Sequence, residues 1–231
     1  MVKEKKSEVS LVLVNKNYQD LAKELFPSLE KQRFQDFELI VVDYGSKNPD
    51  AIINMAENSD ISPIKSYKID DVNVQEARNF GVSKTQGEYI CVLELDAVYR
   101  PGFLKIMLEE LKSASEDVAY VYCNFEYMRH RVKQLQEVPE FQEDNIKGWQ
   151  TPVLTKREYM VDYTPQVQKL MDWDWALKVY KEKGGKGKKI STSEPLFIHL
   201  QPYGRTISWK KRSDHQKWKK FLVDKYPGLI K

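Results

Sequence analysis

The chain is poor in the residues that most often announce a function. Among 231 residues there are two cysteines and three histidines. The cysteines, Cys91 and Cys123, show no metal-ligand spacing and no disulfide framework. Both sit in apolar runs, so buried thiols in neighbouring strands are expected, which suits a reducing cytosol. No run approaches the roughly 18 to 20 apolar residues of a membrane span. The opening MVKEKKSEVS is basic but lacks the apolar core of a secretion signal. A surplus of one charge is also missing. Lys and Arg total 37 against 34 Asp and Glu, a net +3, which gives no general case for nucleic acid. Glycine is absent from the turn that follows the first apolar run, Asn15-Lys16-Asn17-Tyr18, so no glycine-rich phosphate loop opens the chain.

What is present is an alternation of short apolar runs with amphipathic segments. Val9–Val14, Phe37–Asp43, Ile64–Ile69, Glu88–Ala97 and Val118–Cys123 read as strands. Helices are expected at about Tyr18–Gln32, Asp50–Asn58, Val74–Lys84 and after Pro101, where Leu104, Met107, Leu108 and Leu111 form a stripe. Strand–helix alternation implies right-handed crossovers and a mostly parallel sheet. The second half is less regular. Asn124–Arg131 reads as extended, Gln134–Ile146 as an acidic surface loop and Gly148–Leu154 as extended. A short helix is expected from Lys156, a clear one at Val167–Lys183, short strands at Ile190 and Leu196–Leu200, and a terminal helix at Ser213–Lys225 with Trp218, Phe221 and Leu222 on its apolar side. The lysine-rich stretches Lys178–Lys189 and Lys210–Lys220 read as solvated surface. One domain is expected over 1–231, with no internal repeat and no interdomain linker.

The run EYICVLELDA, Glu88–Ala97, ends in Glu94 and Asp96, two residues apart and so on one face if the strand continues. Paired carboxylates call for a cation between them. A divalent metal site and a solvated acidic strand end both remain open on this stretch alone. Ligands on parallel sheets bind beyond the carboxyl ends of the strands. Asn15–Asn17, Asp43–Ser46 and Glu94–Asp96 all fall at such ends.

The order of these clusters resembles the family 2 inverting glycosyltransferases of the GT-A fold. VSLVLVNKN (Val9–Asn17) resembles the opening strand and turn of that family. FELIVVDYGS (Phe37–Ser46) resembles its second strand, and ARNFG with EYICVLELDA (Ala77–Ala97) its Ala-Arg-Asn-x-Gly helix and Asp-x-Asp strand. MDWDWAL (Met171–Leu177) resembles its Glu-Asp-Trp helix. The resemblance covers about residues 8 to 180. It implies a nucleotide-sugar-binding half at about 8–123, an acceptor-binding half at about 124–231, and a UDP-sugar donor with Mn²⁺ or Mg²⁺. Asp96 is then the metal ligand, with Glu94 beside it near the ribose or metal. Asp43 reads the nucleotide base, Arg78 donates near that base, and Asn15 and Asn17 line the donor site. Asp172 is the general base with Asp174 as runner-up, and one of Trp173 and Trp175 is free to stack on a sugar. His199, Arg205 and Ser208 match a closing loop over the diphosphate, with a buried structural role for His199 equally open. His130 and His215 read as surface residues, and the surface alternative for Arg78 is an ion pair with Glu76 or a nearby acid.

The chain departs from the family pattern at Lys16, Tyr44, Glu94 and Met171, which puts the donor base and sugar in doubt. A nucleotidyltransferase and a non-catalytic binding module stay as alternatives; the glycine-free first turn counts against the former. The acceptor is an expected glycan, lipid-linked sugar or other hydroxyl. A cytoplasmic location is expected, with peripheral contact at the inner membrane face open through the lysines and nucleic acid disfavoured as acceptor.

Overall fold

The structure, a computed structural model, describes residues 6–129, 132–147, 152–192, 194–200 and 212–231. His130, Arg205 and Ser208 lie outside these residues. In chain order the elements are β1 (Val9–Asn15), α1 (Ala22–Glu30), β2 (Phe37–Tyr44), α2 (Asp50–Glu57), β3 (Ile64–Ile69), α3 (Val74–Ser83), β4 (Tyr89–Val92), β5 (Ala97–Tyr99), α4 (Phe103–Lys112), β6 (Val118–Tyr122), β7 (Phe125–Arg129), β8 (Val132–Gln136), β9 (Leu154–Lys156), α5 (Met171–Lys183), β10 (Lys186–Lys189), β11 (Phe197–Leu200) and α6 (Arg212–Lys225). A short 3-10 turn at Arg157–Tyr159 stands where the helix from Lys156 was expected.

A seven-stranded sheet runs β10-β6-β9-β4-β1-β2-β3, and a four-stranded sheet runs β5-β11-β7-β8. In the large sheet every pairing is parallel except those of β9, which runs antiparallel between β4 and β6. Strands covered on both faces need side chains that are apolar throughout. β1 and β2 meet that condition, with Leu11, Val12, Leu13, Leu39, Ile40, Val41 and Val42 fully buried. Their polar exceptions satisfy each other. Ser10 donates to Glu38 at 2.7 Å, and Glu38 also accepts from the Gln86 N–H and from Lys65 at 3.2 Å. Burial works against the Glu38 charge, but these donors prevail and hold its pKa below the usual carboxylate value.

Helix α3 starts at a complete capping box: the Asn73 side chain accepts from the backbone of Gln75 and Glu76, and Glu76 accepts from the Asn73 N–H. Glu76 is thereby committed to the cap and is not the partner of Arg78. At Gly81 a Cβ would stand 2.5 Å from a Val12 methyl. Only glycine lets α3 lie this close to β1, and the same buried face of the helix carries Ala77 and Arg78.

Several expectations fail for long-range reasons. The run Glu88–Ala97 is not one strand: β4 ends at Val92 and β5 opens the second sheet at Ala97. Cys91 and the residue after β6, Cys123, are both buried free thiols, but β9 separates their strands. Lys186–Lys189, expected as solvated surface, forms the outer strand of the large sheet. Gln134–Ile146 is not all loop, since β8 occupies its start. Helix α5 begins at Met171 rather than Val167, and Phe221 on α6 is 41% exposed while Leu222 is buried. No helix among the described residues is long and apolar enough to cross a membrane.

Candidate active site

The carboxyl ends of β1, β2 and β4 form a common rim. Here the turns after β1 and β2 are stitched together. Asn15 donates to Asp43 at 2.7 Å and to Ser46 at 3.1 Å. The Asn17 N–H donates to Ser46 at 2.8 Å, and its side chain accepts from the Lys47 N–H. Asp43 is buried and accepts three hydrogen bonds, from Asn15 and from the N–H and hydroxyl of Ser46. Three of the four lone-pair sites of this carboxylate are engaged inside the turn. Asn17 holds φ of 63° and Gly45 φ of 85°, left-handed conformations that bend the two turns toward each other.

After β4 the chain turns sharply at Glu94–Asp96. The Glu94 N–H donates to the Tyr99 hydroxyl at 2.9 Å, and the Leu200 N–H donates to the Asp96 carbonyl at 2.6 Å. This turn removes the strand geometry that would have set the two carboxylates side by side. Glu94 points to Arg78, 3.2 Å away. Asp96 points to His199, with Nε2 at 3.6 Å from its carboxylate. Burial raises the Asp96 pKa and the nearby His199 opposes that rise. Tyr127 closes this side, its ring 5.5 Å from that of His199, its pKa pushed up to about 12 by burial and by Asp96.

Arg78 bridges the two halves of the chain. Its guanidinium donates to Glu94 through Nη2 and to Asp172, at the start of α5, through Nη1, each at 3.2 Å. Tyr163 covers it, with the guanidinium carbon 5.1 Å from the ring centre, and Trp175 stacks behind Tyr163. Burial opposes the Arg78 charge, but Asp172 and Glu94 outweigh it and hold the pKa above the ordinary arginine value.

Next to Asp172, the residues Trp173, Asp174 and Trp175 of the MDWDW motif are buried and tied down. Trp173 Nε1 donates to the Ile146 carbonyl at 2.7 Å, and Trp175 Nε1 donates to the Val161 carbonyl at 3.0 Å. Both indoles are buried, which removes either as a platform for a sugar ring. Asp174 is 1% exposed and accepts from Thr164 at 2.5 Å, Lys225 at 2.7 Å and Tyr226 at 2.9 Å. The two aspartates of the motif therefore serve different neighbours, as their spacing on a helix requires.

Sequence reasoning missed the segment that joins α3 to α5. Asn79, quoted only as part of ARNFG, clasps the Tyr163 backbone twice, accepting from its N–H at 2.7 Å and donating to its carbonyl at 2.9 Å. Asn73 donates to the Pro165 carbonyl and Gln75 to the Val167 carbonyl. The partner of Asn79 was unreadable from the sequence because it lies 84 residues on. His215 is exposed, as expected.

The residues that could hold a divalent cation are Asp96 with His199, and Glu94 once released from Arg78. Among the described residues no set of three such side chains converges to form an all-protein cage. That fits Mg²⁺ or Mn²⁺, which is commonly bound through one or two carboxylates while substrate phosphates and water complete the shell. His199 Nδ1 is buried and has no hydrogen-bond partner among the described residues.

Residues 10–165 match the family model described as "Glycosyl transferase family 2". The chain belongs to this family. Uncharacterized glycosyltransferases of Rickettsia typhi and Rickettsia prowazekii are each 27% identical over 118 residues, 51% of this chain and 36% of theirs. The fold is that of solved GT-A glycosyltransferases. S. aureus TarS 1–349 in complex with UDP-GlcNAc superposes with a TM-score of 0.73 at 15% identity, over 94% of this chain and 66% of that one. The mannosyltransferase PcManGT from Pyrobaculum calidifontis, in complex with GDP-Man and Mn²⁺, gives 0.67 at 16% identity, over 89% and 60%. This family 2 chain thus spans about a third of the length of the curated relatives and about two thirds or less of the solved ones.

Proposed function

We propose that this chain transfers a sugar from a nucleoside diphosphate donor, a UDP-sugar in the first instance, to an acceptor hydroxyl by direct displacement with inversion. The observation that carries the reading is Arg78. It draws Glu94 and Asp172, from opposite halves of the chain, to the rim where Asp43 and Asp96 also stand. Asp172 acts as general base: it takes the proton of the acceptor hydroxyl as that oxygen attacks the anomeric carbon, and the bond from that carbon to the diphosphate oxygen breaks. Asn15, Asn17 and Asp43 shape the pocket for the base, with the remaining acceptor capacity of Asp43 directed at an imide N–H. Arg78 fixes Asp172 and Glu94 relative to the donor. A bound Mn²⁺ or Mg²⁺ would be held by Asp96, with Glu94 or His199 adjacent, and would supply neutralisation of the leaving diphosphate. His199 and Arg205 are assigned to the diphosphate side. Residues 8–123 form the donor half and 124–231 the acceptor half, the acceptor being a glycan, lipid-linked sugar or other hydroxyl compound.

Complexes of the two similar structures with UDP-GlcNAc and with GDP-Man and Mn²⁺ support a nucleotide-sugar donor and leave the base to be tested on this chain. Thermal unfolding is the direct check. UDP with Mn²⁺ is expected to raise Tm by several degrees, since a ligand at about a hundred times its Kd adds roughly 2.7 kcal/mol. Stabilisation by GDP in place of UDP would reassign the base only. No shift with any nucleoside diphosphate, with or without metal, would overturn the reading.

A further inference from the structure

Asp174 has no part in the chemistry proposed above, yet it is buried and accepts three hydrogen bonds. Its two oxygens accept from Thr164, from Lys225 at the end of α6, and from Tyr226 just beyond it. It lies two residues from Asp172, in the first turn of α5. That turn needs support. Leu170, immediately before it, holds φ of 59° and ψ of 29°, a left-handed conformation that costs a non-glycine residue energy and persists only where the surroundings impose it.

The surroundings are ties from the C-terminal part of the chain. Besides Lys225 and Tyr226 on Asp174, Trp173 donates to the Ile146 carbonyl, and the Ile146 N–H donates to the Leu229 carbonyl. Trp175 and Asp174 are in turn joined to the Val161 and Thr164 side of the structure. Asp172 alone of these four motif residues faces Arg78. The rotation of this single helical turn about its axis therefore decides whether the Asp172 carboxylate meets the rim. A buried carboxylate that loses its cation and its hydroxyl donor cannot stay where it is.

We infer that Lys225 and Tyr226 are positioning residues for Asp172: through Asp174 the C-terminal helix sets the orientation of the turn that carries the general base. The inference rests on the proposed role of Asp172, and its consequence is kinetic. Loosening the tie leaves the donor pocket of Asn15, Asp43 and Asp96 intact while the base loses alignment, and misplacement by about 1 Å costs roughly a hundred-fold in rate.

The test uses the full chain carrying Lys225→Met, Tyr226→Phe, or Lys225→Arg, each checked for a cooperative unfolding transition. Three quantities are followed: UDP affinity with Mn²⁺, turnover of a UDP-sugar, and hydrogen exchange of the Met171–Ala176 amides. Lys225→Met and Tyr226→Phe are expected to speed exchange in that segment and to lower kcat about ten- to a hundred-fold, with UDP affinity within about two-fold of wild type. Lys225→Arg is expected to restore most of the turnover. Unchanged exchange at Met171–Ala176 would overturn the inference, as would faster exchange with unchanged kcat. An equal loss of affinity and kcat would also overturn it, because general loosening has that result. A wild-type protein that neither binds a nucleoside diphosphate nor turns over a donor would instead sink the functional reading, and with it the assignment to Asp172; the exchange data would still report separately on the tie itself.

Discussion

Asp172→Asn is expected to lower sugar transfer by about a hundred- to ten-thousand-fold, the range that general-base catalysis contributes. The amide keeps the shape of the carboxylate, and its oxygen can still accept from Arg78, but it cannot take a proton from an acceptor hydroxyl. Nucleotide affinity should hold, because Asn15 and Asp43, proposed for the base, and Asp96, proposed for the metal, do not lie on α5. Initial rates at saturating donor, measured with UDP affinity on the same preparation, check this. Transfer within a few-fold of wild type would mean that another group is the base. Asp174 is a poor substitute, since both its oxygens are already engaged by Thr164, Lys225 and Tyr226.

Arg78→Met is expected to damage both stability and activity. The arginine side chain is 7% exposed and lies between Glu94 and Asp172, which are 24% and 27% exposed. Breaking a buried ion pair by removing one partner typically costs about 3–5 kcal/mol. Partial exposure of both carboxylates lets water take over some of the lost interaction, so a loss of roughly 2–4 kcal/mol is the reasonable figure here. Urea unfolding measures it. Combining Arg78→Met with Asp172→Asn should cost less than the sum of the two, because the second change removes one of the charges that the first leaves uncompensated. Strict additivity would mean that the two side chains do not interact energetically. A lysine at position 78 is no conservative replacement, since one ammonium lacks the planar fork that spans two carboxylates.

Much of the architecture was legible because it is written locally. Apolar runs of four to eight residues separated by helical stripes give the parallel core, and Ile64–Ile69 was bounded without error. The polar strand ends, Asn15, Asp43 and Glu94, pointed to one rim because parallel strands place their carboxyl ends together. What could not be read depends on contacts distant in the chain. Nothing in Leu154–Lys156 signals that it will run antiparallel between β4 and β6. Nothing in KGKK signals a strand, because its pairing is supplied by Val118–Tyr122. The split of the central run after Val92 follows from Tyr99 and Leu200 gripping the turn.

The site divides in the same way. That Asp172 and Asp174 point apart follows from helical spacing. Which of them meets a cation at the rim does not, because Arg78 lies 94 residues upstream and Lys225 lies 51 downstream. Asn79, inside the ARNFG motif, is the clasp that ties the Tyr163 backbone to α3.

In the proposed mechanism donor and base meet across Arg78. A crystal structure with a UDP-sugar and Mn²⁺ bound decides this. The uracil is expected near Asp43, the diphosphate and metal at Asp96, and the anomeric carbon with its open face toward Asp172. A donor bound elsewhere, or one whose anomeric carbon faces away from Asp172, would contradict it.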